Sequence, residues 1–396
     1  MRIRWNLNLA AVVLALASIS PLEAQAPRAR GLGVPFSGTP AKWNAITDVP
    51  GVEVGYSTLI SGQGKLIVGQ GPVRTGVTAI WPRGKQSVDS SFAGWYSQNG
   101  NGEMTGTTWI EESGFLDGPV LITNTHSVGV VRDAYIEWQV RNKHAPGTNN
   151  LGADFFSLPV VAETYDGFLN DINGFHVKPS HVFSALDTAA SGPVAEGNLG
   201  GGTGMVCYGF KGGSGTSSRV LSDGLLKGYT VGVFAQCNCG RRPQLQIAGV
   251  PVGLKIPEDV PYAKSSSWIQ QDVGSIIIVI ATDAPLLPHQ LKRLARRATM
   301  GLARTGSTSG NGSGDIFVAF STANAGAVQS SGLRSLQMVP NDEMNPLFEA
   351  TVQATEESIV NAMVGAETMT GVDDHRVIAL PHQRLREVLK EYNKLQ

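Results

Sequence analysis

The sequence predicts an α/β fold, and three features of its patterning support that class. Short β-branched apolar runs, such as residues 276–281 (Ile-Ile-Ile-Val-Ile-Ala), have the length of buried strands and are bounded by turn residues. Amphipathic helical segments alternate with these runs, as in the segment that begins at Pro288, whose leucines share one face and whose arginines share the other. The 48 glycines are dispersed along the chain, which favours many turns over a helical bundle. Alternating strands and helices of this kind are typical of α/β proteins.

The elements of the N-terminal half follow from the same patterns. Segments with strand composition are 52–56, 76–82, 119–124 and 158–163. The region 89–118 is rich in Gly, Ser, Asn and Thr, and is predicted to form loops and short strands. A helix follows residue 124, with Val128, Val131, Tyr135 and Trp138 on one face. Residues 142–154 are predicted to be a polar insert.

The C-terminal half is predicted in the same way. Its predicted strands are 228–238, 276–281 and 316–320. Two helices are predicted to begin at residues 179 and 288, and two more are predicted to span 345–366 and 385–395. Glu349, Glu356 and Glu357 are interpreted as solvated or helix-facing charges of the helix 345–366, not as catalytic residues. The glycine-rich segment 196–204 has neither the Walker nor the G-x-G-x-x-G spacing, so nucleotide binding is not predicted. Residues 255–272 are predicted to form an exposed polar loop.

Composition and cysteine content indicate which kinds of partner, cross-link and metal site to expect. The formal charge of −1 favours neither nucleic acid nor an anionic membrane as a partner, and 42% hydrophobic residues suffice for a sizeable core. Three cysteines, Cys207, Cys237 and Cys239, cannot form a complete disulfide framework and lack the partners of a zinc site. They are predicted to be small buried residues, and no metal or cofactor is expected.

The N-terminus has the pattern of a secretory signal peptide. Arg2 and Arg4 precede an apolar run, 9–19, that is too short to span a bilayer, and Ala24-Gln25-Ala26 fits a small-x-small cleavage site. We therefore expect residues 1–26 to be removed on export, to the periplasm in a Gram-negative host. The remainder, 27–396, is expected to be a single catalytic domain without a membrane anchor.

A candidate nucleophile stands at the start of the most apolar strand. Ser275 follows Gly274 and precedes the run 276–281, and the Gly/Ser loop 306–314 would bring Ser313 and Asp315 back beside it. A serine hydroxyl needs a nearby base, and an α-amino group, with a pKa near ~8, can serve once a cut frees it. For an isolated Gly-Ser the simpler interpretation, a serine that only begins a strand, would be preferred.

The surrounding motif makes the functional interpretation the better one. The stretch 268–322, with Gly-Ser, an aliphatic strand, Ala-Thr-Asp-Ala-Pro-Leu and a later Ser-Gly-acid, resembles the DmpA-type aminopeptidases, which include the β-peptidyl aminopeptidases. The resemblance extends from about residue 31 to the C-terminus. It implies a four-layer α-β-β-α sandwich and self-cleavage between Gly274 and Ser275. The expected pieces are 27–274 and 275–396, assembled as a homo-oligomer of processed heterodimers, a tetramer in the family.

The same resemblance assigns the chemistry of the nucleophile. Ser275 is the nucleophile, and its freed amine is the base. Ser313 and Asp315 orient that amine, although some family members carry Glu where this chain has the shorter Asp315. Asn238, at the end of a strand, donates its amide to the oxyanion hole together with a backbone N–H; an asparagine before a glycine is otherwise a common turn cap.

Substrate recognition is implied at the end of another strand. The resemblance implies that Glu163 binds the substrate's amine and that Tyr165 is a site tyrosine. The alternatives are that Glu163 caps the loop that follows and that Tyr165 only packs against its neighbours.

These residues together predict an exported, self-processing serine aminopeptidase or amidase that removes N-terminal amino acids from small peptides, amides or esters. Preference among β-aminoacyl, L-aminoacyl and D-aminoacyl groups is open at this point. Two other functions remain: a self-cleaving acyltransferase of related fold, whose relatives use threonine, and a non-catalytic exported binding protein. The Ser-x-x-Lys, Gly-x-Ser-x-Gly and His-Glu-x-x-His motifs of other hydrolases do not occur.

Overall fold

A computed structural model describes residues 27–148, 151–261, 274–329 and 331–396. The predicted signal peptide, 1–26, and residues 262–272 of the predicted exposed loop lie outside the described residues. Within the described ranges, no helix is both long enough and apolar enough to cross a membrane.

The secondary structure alternates between strands and helices, as the patterning predicts. The strands are β1 (Glu53–Ser61), β2 (Val73–Trp81), β3 (Ser91–Ser97), β4 (Phe115–Leu116), β5 (Val120–Asn124), β6 (Val160–Thr164), β7 (Val206–Cys207), β8 (Phe210–Lys211), β9 (Gly213–Val220), β10 (Thr230–Asn238), β11 (Ser275–Thr282), β12 (Gly314–Ser321), β13 (Met369–Thr370) and β14 (Arg376–Val377). The helices are α1 (Thr107–Ser113), α2 (Val128–Asn142), α3 (Pro179–Asp187), α4 (Val252–Lys255), α5 (Pro288–Arg304), α6 (Asn345–Val364) and α7 (His382–Glu391).

Two main sheets organise these strands. The smaller sheet has the order β1-β2-β5-β6, and the larger has the order β4-β3-β12-β11-β10-β9. In the larger sheet, β11 lies between β10, to which it is antiparallel, and β12, to which it is parallel. The parallel pair is connected through α5, the crossover that parallel strands require.

The sheets stack face to face, and helices cover both outer faces. Residues of the two inner faces, among them Ile122, Ile277 and Phe320, form one apolar cluster between the sheets. Helices α2 and α3 pack on the outer face of the smaller sheet, and α5 and α6 pack on that of the larger sheet. The predicted α-β-β-α sandwich is therefore confirmed.

The position of β11 explains its uninterrupted apolar sequence. Alternate side chains of a strand point to opposite faces of the sheet. Ile276, Ile278 and Ile280 pack towards α5 and α6, whereas Ile277 and Val279 pack towards the smaller sheet. Every residue of β11 is buried, because both faces are covered.

Two local expectations need correction. The region 89–118 contains the helix α1 as well as loops and short strands. Glu357 is not a solvated charge: it is fully buried and forms ion pairs with Arg219 at 2.7 Å and Arg30 at 2.8 Å. The helix pattern did not reveal this, because both partners come from distant segments that cover α6. The three cysteines are buried, as predicted.

Candidate active site

Ser275 begins β11 and lies between two neighbouring strands. Its register partners are Asn238, the last residue of β10, and Gly314, the first residue of β12. Its side chain is almost completely buried, with 4% exposed. The Gly314 N–H points at Ser275 Oγ, at 3.3 Å, and also at the Gly274 carbonyl oxygen, at 3.2 Å. One backbone donor therefore faces both the candidate nucleophile and the carbonyl that precedes it.

Glycines allow the backbones around Ser275 to approach this closely. A Cβ on Gly274 would lie 2.1 Å from the Asn238 carbonyl oxygen, and one on Gly314 would lie 2.4 Å from the Asn101 carbonyl oxygen. Neither distance is compatible with a side chain. These two glycines are therefore required by space rather than by turn conformation.

Ser313 and Asp315 flank Gly314, the register partner of Ser275, and form a buried pair. The Ser313 hydroxyl donates to Asp315 Oδ1 at 2.6 Å, and Asn99 Oδ1 accepts the Asp315 N–H at 2.7 Å. Gly314, between the two side chains, contacts Ser275 directly. Alternation along β12 directs the Asp315 side chain to the face that packs on α5 and α6.

The Asn238 amide is fixed by two hydrogen bonds. Its Oδ1 accepts the Val206 N–H at 2.8 Å, and its Nδ2 donates to the Tyr165 carbonyl at 2.9 Å. These partners define which end of the amide is the donor. An amide carries two hydrogens, so one donor remains beyond the bond to Tyr165. Asn238 itself is the register partner of Ser275 across the β10–β11 pair.

Glu163 lies near the end of β6 and is buried, with 3% exposed. Its carboxylate accepts the Glu103 N–H at 3.1 Å and the Thr125 hydroxyl. Burial raises the pKa of Glu163, and the hydrogen bond from Thr125 opposes that rise. A Cβ on Gly102 would lie 3.0 Å from Gly314 Cα and 3.2 Å from Glu163 Oε1. A single glycine thus separates this carboxylate from the neighbour of Ser275.

Tyr165 contributes to the site through its backbone. Its carbonyl holds Asn238, whereas its ring is 38% exposed and bends back so that its hydroxyl lies over Gly167. Burial of the phenol raises the pKa of Tyr165. The structure therefore brings Ser275, Asn238 and the Tyr165 carbonyl together, with the Tyr165 ring at the rim.

Several contributors were not predicted from the sequence. The Gly314 N–H, Thr125 and the segment Asn99–Gly102 all contact the predicted residues. Asn99 also donates to the carbonyls of Ser309 and Gly310, and so joins its loop to the Gly/Ser loop. A backbone donor has no sequence signature. The only signals were the Gly/Asn-rich composition of 89–118 and the glycine between Ser313 and Asp315. Across the described residues, no group of three or more His, Cys, Asp or Glu side chains is arranged to hold a metal ion.

A serine that begins a central strand of an α-β-β-α sandwich, with backbone donors beside it, defines the class of N-terminal-nucleophile hydrolases, and comparison with known proteins agrees. The chain belongs to peptidase family S58, whose profile matches residues 44–377. It is an N-terminal-nucleophile aminopeptidase. The family relationship decides against the acyltransferase and the non-catalytic binding protein.

Similar proteins cover nearly the whole chain. The β-peptidyl aminopeptidase BapA of Sphingosinicella microcystinivorans is 56% identical over 98% of both chains, and that of Sphingosinicella xenopeptidilytica is 48% identical over 96% of this chain and 95% of its own. The L-aminopeptidase D-Ala-esterase/amidase of Ochrobactrum anthropi is 49% identical with a TM-score of 0.84, covering 93% of this chain and 100% of its own. A Burkholderia sp. β-aminopeptidase is 45% identical with a TM-score of 0.80, covering 92% and 98%.

Proposed function

We propose that this aminopeptidase activates itself by cutting between Gly274 and Ser275, and that it then removes N-terminal β-aminoacyl groups from small peptides and amides. The observation that carries the proposal is the Gly314 N–H, which faces Ser275 Oγ at 3.3 Å and the Gly274 carbonyl oxygen at 3.2 Å. The atom that would attack and the carbonyl that would be attacked meet at one donor.

Self-cleavage requires Ser275 Oγ to add to the Gly274 carbonyl carbon. The oxygen of that carbonyl gains negative charge, and the Gly314 N–H is positioned to stabilise it. Collapse breaks the C–N bond, and the Ser275 nitrogen gains a proton in place of the one that the hydroxyl lost. Gly274 is left as an ester on Ser275, whose amine is now free. Water then hydrolyses the ester and gives the pieces 27–274 and 275–396.

Turnover uses the amine that the cut creates. It accepts the Ser275 hydroxyl proton while Oγ attacks the substrate carbonyl, and it returns a proton to the leaving amine. The Asn238 amide and the Gly314 N–H stabilise the oxyanion, and Ser313 with Asp315 orients the amine. The acyl group then passes from Ser275 to water. Glu163 binds the substrate's ammonium group as a carboxylate.

The substrate class rests on the relatives. The 56% identity with a β-peptidyl aminopeptidase over 98% of both chains supports β-aminoacyl substrates. L-aminoacyl amides and D-alanyl esters are the second candidate class, because the L-aminopeptidase D-Ala-esterase/amidase is 49% identical. The amino-terminal pattern supports export with loss of residues 1–26. We further propose that the processed heterodimers assemble into a homo-oligomer. The proposed function requires no nucleic acid, membrane or cofactor.

A denaturing gel and a substrate panel test the proposal. Active protein should give two bands, and the smaller band, of 122 residues, should begin Ser-Ile-Ile-Ile. Hydrolysis of β-homoalanyl, L-alanyl and D-alanyl p-nitroanilides separates the substrate classes. Full activity of unsplit protein would refute self-activation, and L-alanyl turnover well above β-homoalanyl turnover would favour the second class.

A further inference from the structure

A buried polar cluster lies behind the site and has no part in the chemistry described above. It consists of Asp166, Thr75, Asn124 and Asn170, each no more than 3% exposed. Asn170 Nδ2 donates to Asp166 Oδ1 at 3.1 Å, and Asn124 Nδ2 donates to Thr75 Oγ1 at 2.8 Å. Burial raises the pKa of Asp166 to about 7, while hydrogen bonds from Thr75, Asn170 and Asn124 oppose the rise. Buried polar groups of this kind are costly unless their hydrogen bonds are satisfied.

At one end, the cluster adjoins the residues that position Asn238, the proposed oxyanion donor. Asp166 directly follows Tyr165, whose carbonyl accepts from the Asn238 amide at 2.9 Å. The Asp166 carbonyl accepts the N–H groups of Leu169 and Asn170, both at 3.0 Å, so the turn after Tyr165 closes on Asp166 itself. A shift of Asp166 therefore moves the carbonyl that orients Asn238.

At its other end, the cluster adjoins the residues that position Glu163, whose carboxylate is proposed to bind the amine of the substrate. Asn124 ends β5, and its Oδ1 accepts the His126 N–H at 3.1 Å. This bond fixes the turn that carries Thr125, and the Thr125 hydroxyl donates to Glu163. The Thr75 hydroxyl oxygen accepts from Asn124, and Thr75 and Asn124 both lie close enough to the Asp166 carboxylate to lower its pKa.

We infer that Asp166 is a positioning residue for catalysis: through Tyr165 it sets the Asn238 amide, and through Thr75 and Asn124 it sets Thr125 and Glu163. The inference rests on the proposed roles of Asn238 and Glu163. Asp166 lies between the turn after Tyr165, whose carbonyl orients Asn238, and the Thr75–Asn124 pair, which leads to Glu163. Asn238 and Glu163 lie on different sheets.

The test compares two isosteric substitutions of equally buried aspartates in one loop. Asp166→Asn replaces a carboxyl group, which accepts from Asn170, with an amide whose NH2 group must donate into a cluster of donors. Asp171→Asn is the matched control: Asp171 is 2% exposed, but its Oδ2 accepts from Gly69 N–H at 2.7 Å and lies 2.9 Å from His176 Nε2, away from the site. Steady-state kinetics on an aminoacyl p-nitroanilide, band pattern and Tm are measured for both.

Asp166→Asn should lower kcat roughly 10- to 100-fold and raise KM, since a misplaced donor and a misplaced carboxylate affect both constants. Asp171→Asn should stay within about threefold of the wild type. Equal kinetic constants for processed Asp166→Asn and wild type would overturn the inference, whatever their Tm. A lower Tm with an unchanged kcat in Asp166→Asn would show that Asp166 has a purely structural role.

A second pair of variants, at Thr75, tests the inference if Asp166→Asn does not fold. Thr75→Val removes the hydroxyl between Asn124 and Asp166 at nearly constant volume, and Thr75→Ser restores it. Activity should fall about tenfold in Thr75→Val and return in Thr75→Ser, and equal activities would overturn the inference. Failure of the proposed function is separable, because the wild type itself would then show no cut and no turnover.

Discussion

Gly314→Ala is the most direct perturbation of the backbone donor beside Ser275. The substitution adds one methyl group and leaves every predicted catalytic side chain unchanged. That Cβ would lie 2.4 Å from the Asn101 carbonyl oxygen and 2.6 Å from Gly102 Cα, both of which are backbone atoms. Backbone cannot rotate away as a side chain can, so either β12 or the 99–102 loop must shift.

The size of the shift follows from the contact distances. Ordinary van der Waals contact begins at 3.4 Å, so relief of the clash with Asn101 needs a displacement of about 1 Å. Overpacking of this kind costs about 1–3 kcal/mol of stability. The kinetic effect should be larger, because a misplacement of about 1 Å at a reacting centre can reduce the rate roughly 100-fold. We therefore expect folded Gly314→Ala protein that cuts itself and turns over at least tenfold more slowly.

The assay is a time course of self-cleavage on a denaturing gel, with turnover measured on the processed fraction and Tm measured in parallel. Gly129→Ala is the control, since a Cβ at Gly129, in α2, meets nothing within 4 Å. It should cut at the wild-type rate. Gly314→Ala protein that cuts and turns over as fast as the control would refute the role assigned to this N–H.

Four further substitutions test the other assignments. Ser275→Ala should give a single unsplit band without activity, because it removes the hydroxyl needed for both steps; a cut in this variant would place the nucleophile elsewhere. Ser313→Ala and Asp315→Ala should slow turnover by about tenfold or more with the protein still soluble, and loss of soluble protein instead would make the pair structural. Glu163→Gln should raise KM for substrates with a free amine by roughly 10-fold or more, as a charge-assisted hydrogen bond is lost. Because burial raises the pKa of Glu163, wild-type kcat/KM should fall as the pH drops through that raised value, and a Glu163→Gln profile of identical shape would contradict this.

The sequence predicted the main elements of the fold because those elements are specified locally. The run Ile276–Ala281 reads as a strand that is buried on both faces, and β11 is such a strand. The order of the strands was not predictable from periodicity, since β3 pairs with β12 across more than 200 residues of chain. The burial of Glu357 was missed for the same reason: its partners, Arg30 and Arg219, are remote in sequence.

In the site, too, the features specified by local sequence were predictable and those that depend on distant segments were not. Ser275, Asn238 and Glu163 were found because each stands at the end of an apolar strand within a recognisable motif. The donor at Gly314 and the contacts of Asn99 and Thr125 were not, because backbone amides and loop side chains acquire their roles only when distant segments meet. The roles predicted for the site residues remain predictions: Ser275, Asn238, Glu163, Ser313, Asp315 and Tyr165.

The geometry also explains why a cut at Gly274 need not separate the pieces. Under the proposed function, Asn238 and Glu163 belong to the first piece, and Ser275 and Gly314 belong to the second. β11 remains paired with β10 from Asn238–Ser275 to Val231–Thr282, and β12 remains paired with β3, so both junctions between the pieces are continuous ladders within one sheet. Breaking one peptide bond removes none of these pairs. The Gly314 N–H and Ser275 Oγ are 39 residues apart in sequence, so the chain must fold before this donor reaches the reacting atoms. Self-cleavage by this route is therefore a property of the folded sheet, and the sheet keeps the new amino terminus in the site that formed it.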